Sequence, residues 1–473
     1  MSPAPQKSKP NASSLPSFLD PSRPVKSLSI GFWVWKVILF LVIISCPGLG
    51  YDTSASLLPF QHNGSAEVIS SAETKHVALP IALKFVRWDS IYFVHIAQYG
   101  YPFEQEWAFS YVYGRLSKNI SSLFFLSDDS DRVTQIAAAA VALSHVSHYL
   151  SVMALHRLSS NVFGCDTQRK RLICFLSAAL HIVCPGGAFL SAPYGESLFS
   201  FLNITGYYVY SSSCIDLGLN KRLLSHGKLL LAGCLFAVAT SVRSNGILSG
   251  VLLAYDALWQ AYNIILRRTS CTMIVRLGFT VLSGSIVALG LLVPQYIAYT
   301  SYCVGNGHLR PWCQSMLPSI YGWVQSHYWG VGFLRYWTIP NIPLFLLASP
   351  MLLILFQSSF WVLGANVSPV FSGTAPKTSS AISSGSSSPL LTQLALIQFI
   401  LTVMAATSYH VQIVNRISSG YPLWYWYLVW QALETSGTTL SAKRRSRILL
   451  VVQAIVAYAL IQAVLFGSFL PPA

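Results

Sequence analysis

An all-α bundle of transmembrane helices, crossing its membrane about 8–11 times, is the fold class that this sequence predicts. Three observations carry it. Hydrophobic residues make up 53% of the 473 positions and charged residues only 10%, where soluble domains usually carry about 25% charged residues. The mean hydropathy is +0.53, and the apolar residues come in long runs rather than scattered. The formal charge is +15, with the basic residues in short clusters between those runs. That distribution reads as membrane topology and not as a nucleic-acid surface.

Taken in order, residues 1–27 are rich in Pro and Ser and read as a disordered cytosolic N-terminus. Residues 28–50 form the first apolar stretch. A cleaved signal peptide is the alternative, but the leader is long and the stretch is near spanning length, so a retained helix is expected. Further spans are expected at 133–155, 172–188, 198–213, 277–300, 339–356, 390–408, 423–434 and 448–466. Residues 229–261 are too long for one helix and are broken by Arg243-Ser244-Asn245-Gly246, so two short helices should meet there at a polar turn. Every span must close its own backbone hydrogen bonds in lipid, which selects helices over strands. Residues 28–466 are thus read as one multi-span domain, with a Ser-rich cytosolic linker at 367–389 and a tail at 467–473.

With the N-terminus in the cytosol, the cytosolic side collects nineteen basic residues against five acidic ones, and the opposite side ten of each. That excess supports the orientation. It also puts the chemically rich segments on the non-cytosolic side: the loops 51–132 and 301–338, the stretch around Pro193–Glu196, the Arg243–Gly246 turn and residues 409–422. Asn63 and Asn119 open glycosylation sequons there. Of nine cysteines, only Cys303 and Cys313 share a loop on that side, and a disulfide between them is expected. No spacing suggests a metal site.

The densest segment is Arg87-Trp88-Asp89-Ser90-Ile91-Tyr92-Phe93-Val94-His95. As a helix it would place Trp88, Tyr92, His95 and Tyr99 near one face, with Asp89, Phe93 and Ile96 on the adjoining stripe. Such a helix would rest on the membrane surface, where a partly desolvated Asp89 would be a stronger base. The competing reading is an Arg87–Asp89 surface pair on an interfacial anchor. Glu104 and Glu106 read more readily as solvated loop charges than as an acid/base pair. Arg243 is either a clamp for an anionic group or a snorkelling helix-end arginine. Trp323, Trp329, Tyr336 and Trp337 fit an aromatic belt better than a sugar platform.

The ordered words are more specific. Arg87-Trp88-Asp89-Ser90, His95-Ile96-Ala97, Gly100-Tyr101, Glu104-Gln105 and Ala108-Phe109 resemble the signature of the GPI mannosyltransferase 2 family, the phosphatidylinositol-glycan class V proteins. Ser241-Val242-Arg243-Ser244-Asn245-Gly246, Pro294-Gln295-Tyr296, Arg310-Pro311-Trp312-Cys313, Val324-Gln325, Tyr328-Trp329-Gly330 and Gln412-Ile413-Val414-Asn415-Arg416 follow in the family's order. The segment Ser110–Arg115 departs from the Pro-containing stretch of many relatives. The resemblance implies a GT-C glycosyltransferase-like fold in the endoplasmic reticulum membrane. It implies transfer of the second mannose, in α-1,6 linkage, from dolichyl-phosphate-mannose to a GPI-precursor glycolipid on the luminal side; such a transfer requires no cofactor, and whether a metal assists is left open. A small membrane partner subunit is left open.

On that resemblance Asp89 is the expected catalytic base of an inverting transfer. Arg243 and Arg416 are expected to face the departing phosphate, Trp88 and Trp329 to stack on sugars, and Gln105, Asn245 and Gln325 to read hydroxyls. Arg87 and Glu104 complete the expected substrate-binding set. Two other classes compete. A multispanning flippase or transporter would show matched interrupted helices, of which only the Arg243–Gly246 break is visible. Another dolichyl-phosphate-mannose-dependent mannosyltransferase would not carry the ordered words.

Overall fold

The computed structural model describes residues 20–46, 80–124, 132–266, 270–304, 310–364, 389–434 and 439–470. Among the described residues every regular element is helical. The first is α1 (Pro24–Ser45), followed by two helices of the first long loop, α2 (Ser90–Tyr99) and the amphipathic α3 (Tyr111–Phe124). The bundle continues with α4 (Arg132–Phe163), α5 (Gln168–Ile182), α6 (Glu196–Gly218), α7 (Arg222–Val242), α8 (Gly250–Ile265) and α9 (Cys271–Cys303). After a short α10 (Ile320–His327) come α11 (Ile342–Leu363), α12 (Pro389–Thr407), a single turn α13 (Val414–Ile417), α14 (Leu423–Leu433) and α15 (Thr439–Gly467).

Each of the eleven expected apolar passes thus falls on a helix, and the long 229–261 run divides into α7 and α8 around a 3-10 turn, Ser244–Ser249. Seven helices have the length and hydropathy to cross a membrane by themselves. Helices α5, α8 and α14, with 15, 16 and 11 residues, fall short of the roughly 20 residues that a hydrocarbon core demands. They are tolerated because their irregular ends are packed in protein or line a cavity. The segments joining α5 to α6, α7 to α8, α9 to α11 and α12 to α14 all converge on one cavity beside α2. Each intervening helix pair therefore leaves that end of the bundle and returns to it.

Helix α6 is central, packed on α4 and α7, with α9 behind α7. The α7–α9 contact is close because Gly290 has no side chain: a Cβ there would lie 2.2 Å from the Ala237 carbonyl oxygen. A lysine inside α1 also has its explanation. Lys36 is buried and donates to the Leu190 carbonyl at 2.9 Å and to Ser191 Oγ at 2.8 Å, so the amine inside the helix bundle has its hydrogen-bond partners.

Asn119 is exposed on α3, at the end of the bundle that holds the cavity; Asn63 lies outside the described residues. If that end is luminal, Asn119 can accept glycan, whereas Asn11 and Asn366 stay bare. A glycosidase-sensitive mobility shift mapped to Asn11 or Asn366 would reverse the orientation.

Candidate active site

The chain reaches α2 through a turn that fixes the position of Asp89. Trp88 adopts φ +56°, a left-handed conformation unusual for a bulky residue, costing about 1–3 kcal/mol unless its surroundings impose it. They do. The Arg87 amide donates to Ser90 Oγ (2.5 Å), the Ser90 hydroxyl donates back to the Arg87 carbonyl (2.6 Å), and the Tyr194 hydroxyl donates to the same carbonyl (2.8 Å). Asp89 therefore precedes the first helical residue instead of sitting on a mid-helix stripe, and its side chain is 41% exposed toward the cavity.

The Arg87–Asp89 surface pair does not form. Arg87 is buried with its guanidinium over the Phe469 ring, 4.8 Å from the centroid. Asp89 meets Arg416 instead: Arg416 Nη1 and Nη2 lie 3.5 and 3.4 Å from Asp89 Oδ2. Arg416 Nε also lies 3.4 Å from Glu196 Oε1, and Arg243 Nη1 approaches that same oxygen to 2.7 Å. Two arginines and two carboxylates thus form one connected group. Arg416 is further held over Phe189 at 4.5 Å and Tyr194 at 5.6 Å. Burial works to lower the Arg416 pKa, but the Glu196 and Asp89 charges more than offset it and the net shift is upward, so the cation is permanent. Burial, then the Asp89 charge, pushes the Tyr194 phenol well above its ordinary range, which leaves it a neutral donor.

These groups bound a cavity of about 200 Å³. Asp89, Arg243, Asn245, Gln325, Trp329 and Arg416 line it, together with Trp107, Phe109, Tyr321, Tyr409 and His410. The Trp329 indole N–H is buried without a hydrogen-bond partner among the described residues, so it is available to a ligand oxygen. Asn245 is anchored, donating to the Tyr421 hydroxyl at 3.0 Å. One wall is built around a proline: Pro294 inside α9 cannot donate to the Gly290 carbonyl, and the Ser241 hydroxyl supplies that bond at 2.7 Å.

Four of the expected binding residues fall outside this lining. Arg87 is buried behind Trp88, and the Trp88 ring packs edge-on against Phe469 at 5.1 Å rather than standing free for a sugar. Gln105 lies beside Tyr92. Glu104 is no solvated loop charge either. Its carboxylate receives the Trp312 indole at 2.8 Å, the Trp323 indole at 3.4 Å and the Tyr328 hydroxyl at 3.3 Å. It organises the loop that carries Gln325 and Trp329. Glu106 is likewise buried, with His95 Nδ1 at 2.5 Å from its carboxylate and the Phe103 amide donating at 3.0 Å. The expected aromatic belt divides: Trp329 faces the cavity, whereas Trp337 is exposed and donates to the Ala406 carbonyl at 2.7 Å.

Cys303 and Cys313 are bonded, with Cα atoms 5.7 Å apart. The bridge ties the end of α9 to Trp312, and through Trp312 to Glu104. A loop this short gains roughly 2–3 kcal/mol from closure. Non-reducing mass spectrometry should recover the two cysteines in one cross-linked peptide; two free thiols would reject the bridge.

The sequence marked the stretch around Pro193–Glu196 as chemically rich but gave Glu196 itself no role. It also showed no metal-like spacing, yet folding brings His148, His181 and Cys184 within 4.8 Å of one another. None of the three lines the cavity. The His181 nitrogens are engaged by Tyr425 at 2.7 Å and Ser151 at 2.8 Å, so the group reads as a buried hydrogen-bond network.

Comparison with known proteins identifies the family. The family described as Mannosyltransferase (PIG-V) matches residues 29–473. The GPI mannosyltransferase 2 of Aspergillus oryzae is 53% identical over 459 residues, 97% of this chain and 98% of that protein. The protein of the same name from Saccharomyces cerevisiae is 29% identical, over 95% of this chain and 100% of its own length. A crystal structure of the Archaeoglobus fulgidus oligosaccharyltransferase tethered with an acceptor peptide aligns with a TM-score of 0.46 at 11% identity, over 93% of this chain and 55% of that one. An all-helical, multi-pass membrane glycosyltransferase, the chain belongs to the PIG-V mannosyltransferase family.

Proposed function

We propose that the chain transfers the second mannose of the GPI anchor, in α-1,6 linkage, from dolichyl-phosphate-mannose to a mannosyl-glucosaminyl-phosphatidylinositol acceptor, in the lumen of the endoplasmic reticulum. The observation that supports it is the meeting of one accessible carboxylate, Asp89, with two arginines in one cavity of a PIG-V chain. The acceptor hydroxyl attacks C1 of the donor mannose from the face opposite the phosphate. Asp89 takes the hydroxyl proton as the new C1–O bond forms. The C1–O bond to phosphate breaks, and its electron pair leaves on dolichyl phosphate.

That leaving group is a stable anion and needs positive charge rather than a proton, which Arg243 and Arg416 provide. Contacts of 3.4–3.5 Å between Arg416 and Asp89 are longer than a locked charge-assisted pair, so the carboxylate stays free to act as a base. Trp329, Gln325 and Asn245 address the sugars. No cofactor enters this scheme.

The linkage tests it. Membranes carrying this chain should make a product whose added mannose is released by an α-1,6-specific mannosidase. Resistance of the product to that enzyme would contradict the assignment.

A further inference from the structure

We propose that Glu196 is a positioning residue that divides the charge of Arg416 and so keeps Asp89 basic, an inference resting on the Asp89 reading above. Glu196 opens α6, is fully buried and does not line the cavity, so it does not touch a substrate there. Its Oε1 is approached by guanidinium groups from two elements, Arg243 at the end of α7 (2.7 Å) and Arg416 on α13 (3.4 Å). Neither Glu196 oxygen has a properly directed hydrogen bond among the described residues, in spite of the short Arg243 distance. A carboxylate buried this way is costly unless it balances charge.

The balance is visible in the group. Arg416 presents Nε to Glu196 and both Nη atoms to Asp89. Among the described residues the Tyr113 and Tyr194 phenols feel the Glu196 charge and the Tyr92 and Tyr194 phenols the Asp89 charge, and His410 lines the same cavity with Nε2 2.9 Å from the Trp329 carbonyl. All three phenols are neutral at physiological pH. Arg416 is thus one cation shared between two carboxylates, and Glu196 one carboxylate shared between two cations.

With Glu196 neutral, Arg416 is free to close on Asp89 as a two-pronged pair, and the field of both arginines falls on that carboxylate. Its charged form is then favoured and it is a weaker base. The arginines at the same time lose their competing anion, so the donor phosphate is bound no less tightly. Glu196 therefore acts on kcat through the base and not on donor KM.

The test is the pH profile of the full chain in membranes, with kcat and donor KM measured for wild type, Glu196→Asp and Glu196→Gln. For Glu196→Gln the acid limb should move about one unit to lower pH. Plateau kcat should fall about tenfold, as expected for a weaker base, while donor KM does not rise. Glu196→Asp should move the limb in the same direction by less, and it decides the matter alone if the Gln variant is not recovered folded. An acid limb that stays in place in the folded variants, or moves to higher pH, overturns the proposal. Failure of the underlying reading looks different: Asp89→Asn would then retain activity. An inactive Asp89→Asn with an unmoved limb in the Glu196 variants removes only the role of Glu196.

Discussion

Asp89→Asn should lower mannosyl turnover by roughly 10²–10⁴-fold, the range for loss of a general base, with protein level and membrane insertion preserved. Asn keeps the size of the side chain and a hydrogen-bonding oxygen for Arg416, so the turn around Trp88 has no reason to collapse. That turn is held by Ser90 and Tyr194, not by the Asp89 carboxylate. Glu104 and Glu106 make the useful contrast. Both are buried, Glu104 bonded to the Trp312 loop and Glu106 to His95 of α2 and the Phe103 amide, so Glu104→Gln or Glu106→Gln should act on the stability of the loops carrying Trp107 and Trp312. Transfer normalised to purified protein separates the two kinds of loss. Near-wild-type specific activity in Asp89→Asn would remove the base assignment.

Arg416→Ala should be severe in two ways. It leaves the part-exposed Asp89 without its cation and the buried Glu196 with Arg243 alone, a loss of stability smaller than the roughly 3–5 kcal/mol of leaving a buried charge with no partner. On the proposed mechanism it also strips one of two cations from the leaving phosphate, a loss of roughly 10²–10³-fold by analogy with single electrostatic donors at reaction centres. Both a lower melting temperature and at least a hundredfold lower turnover are therefore expected. Arg416→Lys restores the charge but not the planar fork that spans Asp89 and Glu196, so abundance should recover further than activity. Thermal melts alongside specific activity read the two effects apart. Normal turnover in purified Arg416→Ala would be incompatible with its place beside the phosphate.

The helices were legible because lipid leaves the chain few options: the apolar runs had to become helices, and even the α7–α8 break followed from Arg243-Ser244-Asn245-Gly246. Asp89 stood out first as a part-desolvated carboxylate on an interfacial helix and then in the family words, whereas Arg416 was reached through the family words alone. What was not legible depended on partners far along the chain. Periodicity extended α2 back over Trp88, whereas a positive φ at Trp88 rotates Asp89 out of that pattern. Arg87 was read with its neighbour Asp89, but the end of α15 brings Phe469 across the Arg87 guanidinium. Glu104 looked like a solvated loop acid until Trp312, Trp323 and Tyr328, more than two hundred positions away, closed over it. The stretch around Pro193–Glu196 stood out by its side of the membrane, but no local signal gave Glu196 a role, since its meaning lies in Arg243 and Arg416 arriving from two other elements.

The most direct test uses microsomes in which this chain is the source of the second-mannose activity, supplied with labelled dolichyl-phosphate-mannose and GPI precursors bearing no, one or two mannoses. The account predicts that label enters the one-mannose precursor alone, yields the two-mannose lipid, and disappears with Asp89→Asn at equal protein level. Label that crosses the membrane on dolichyl phosphate without reaching any acceptor would mark a lipid transporter instead, and would contradict it.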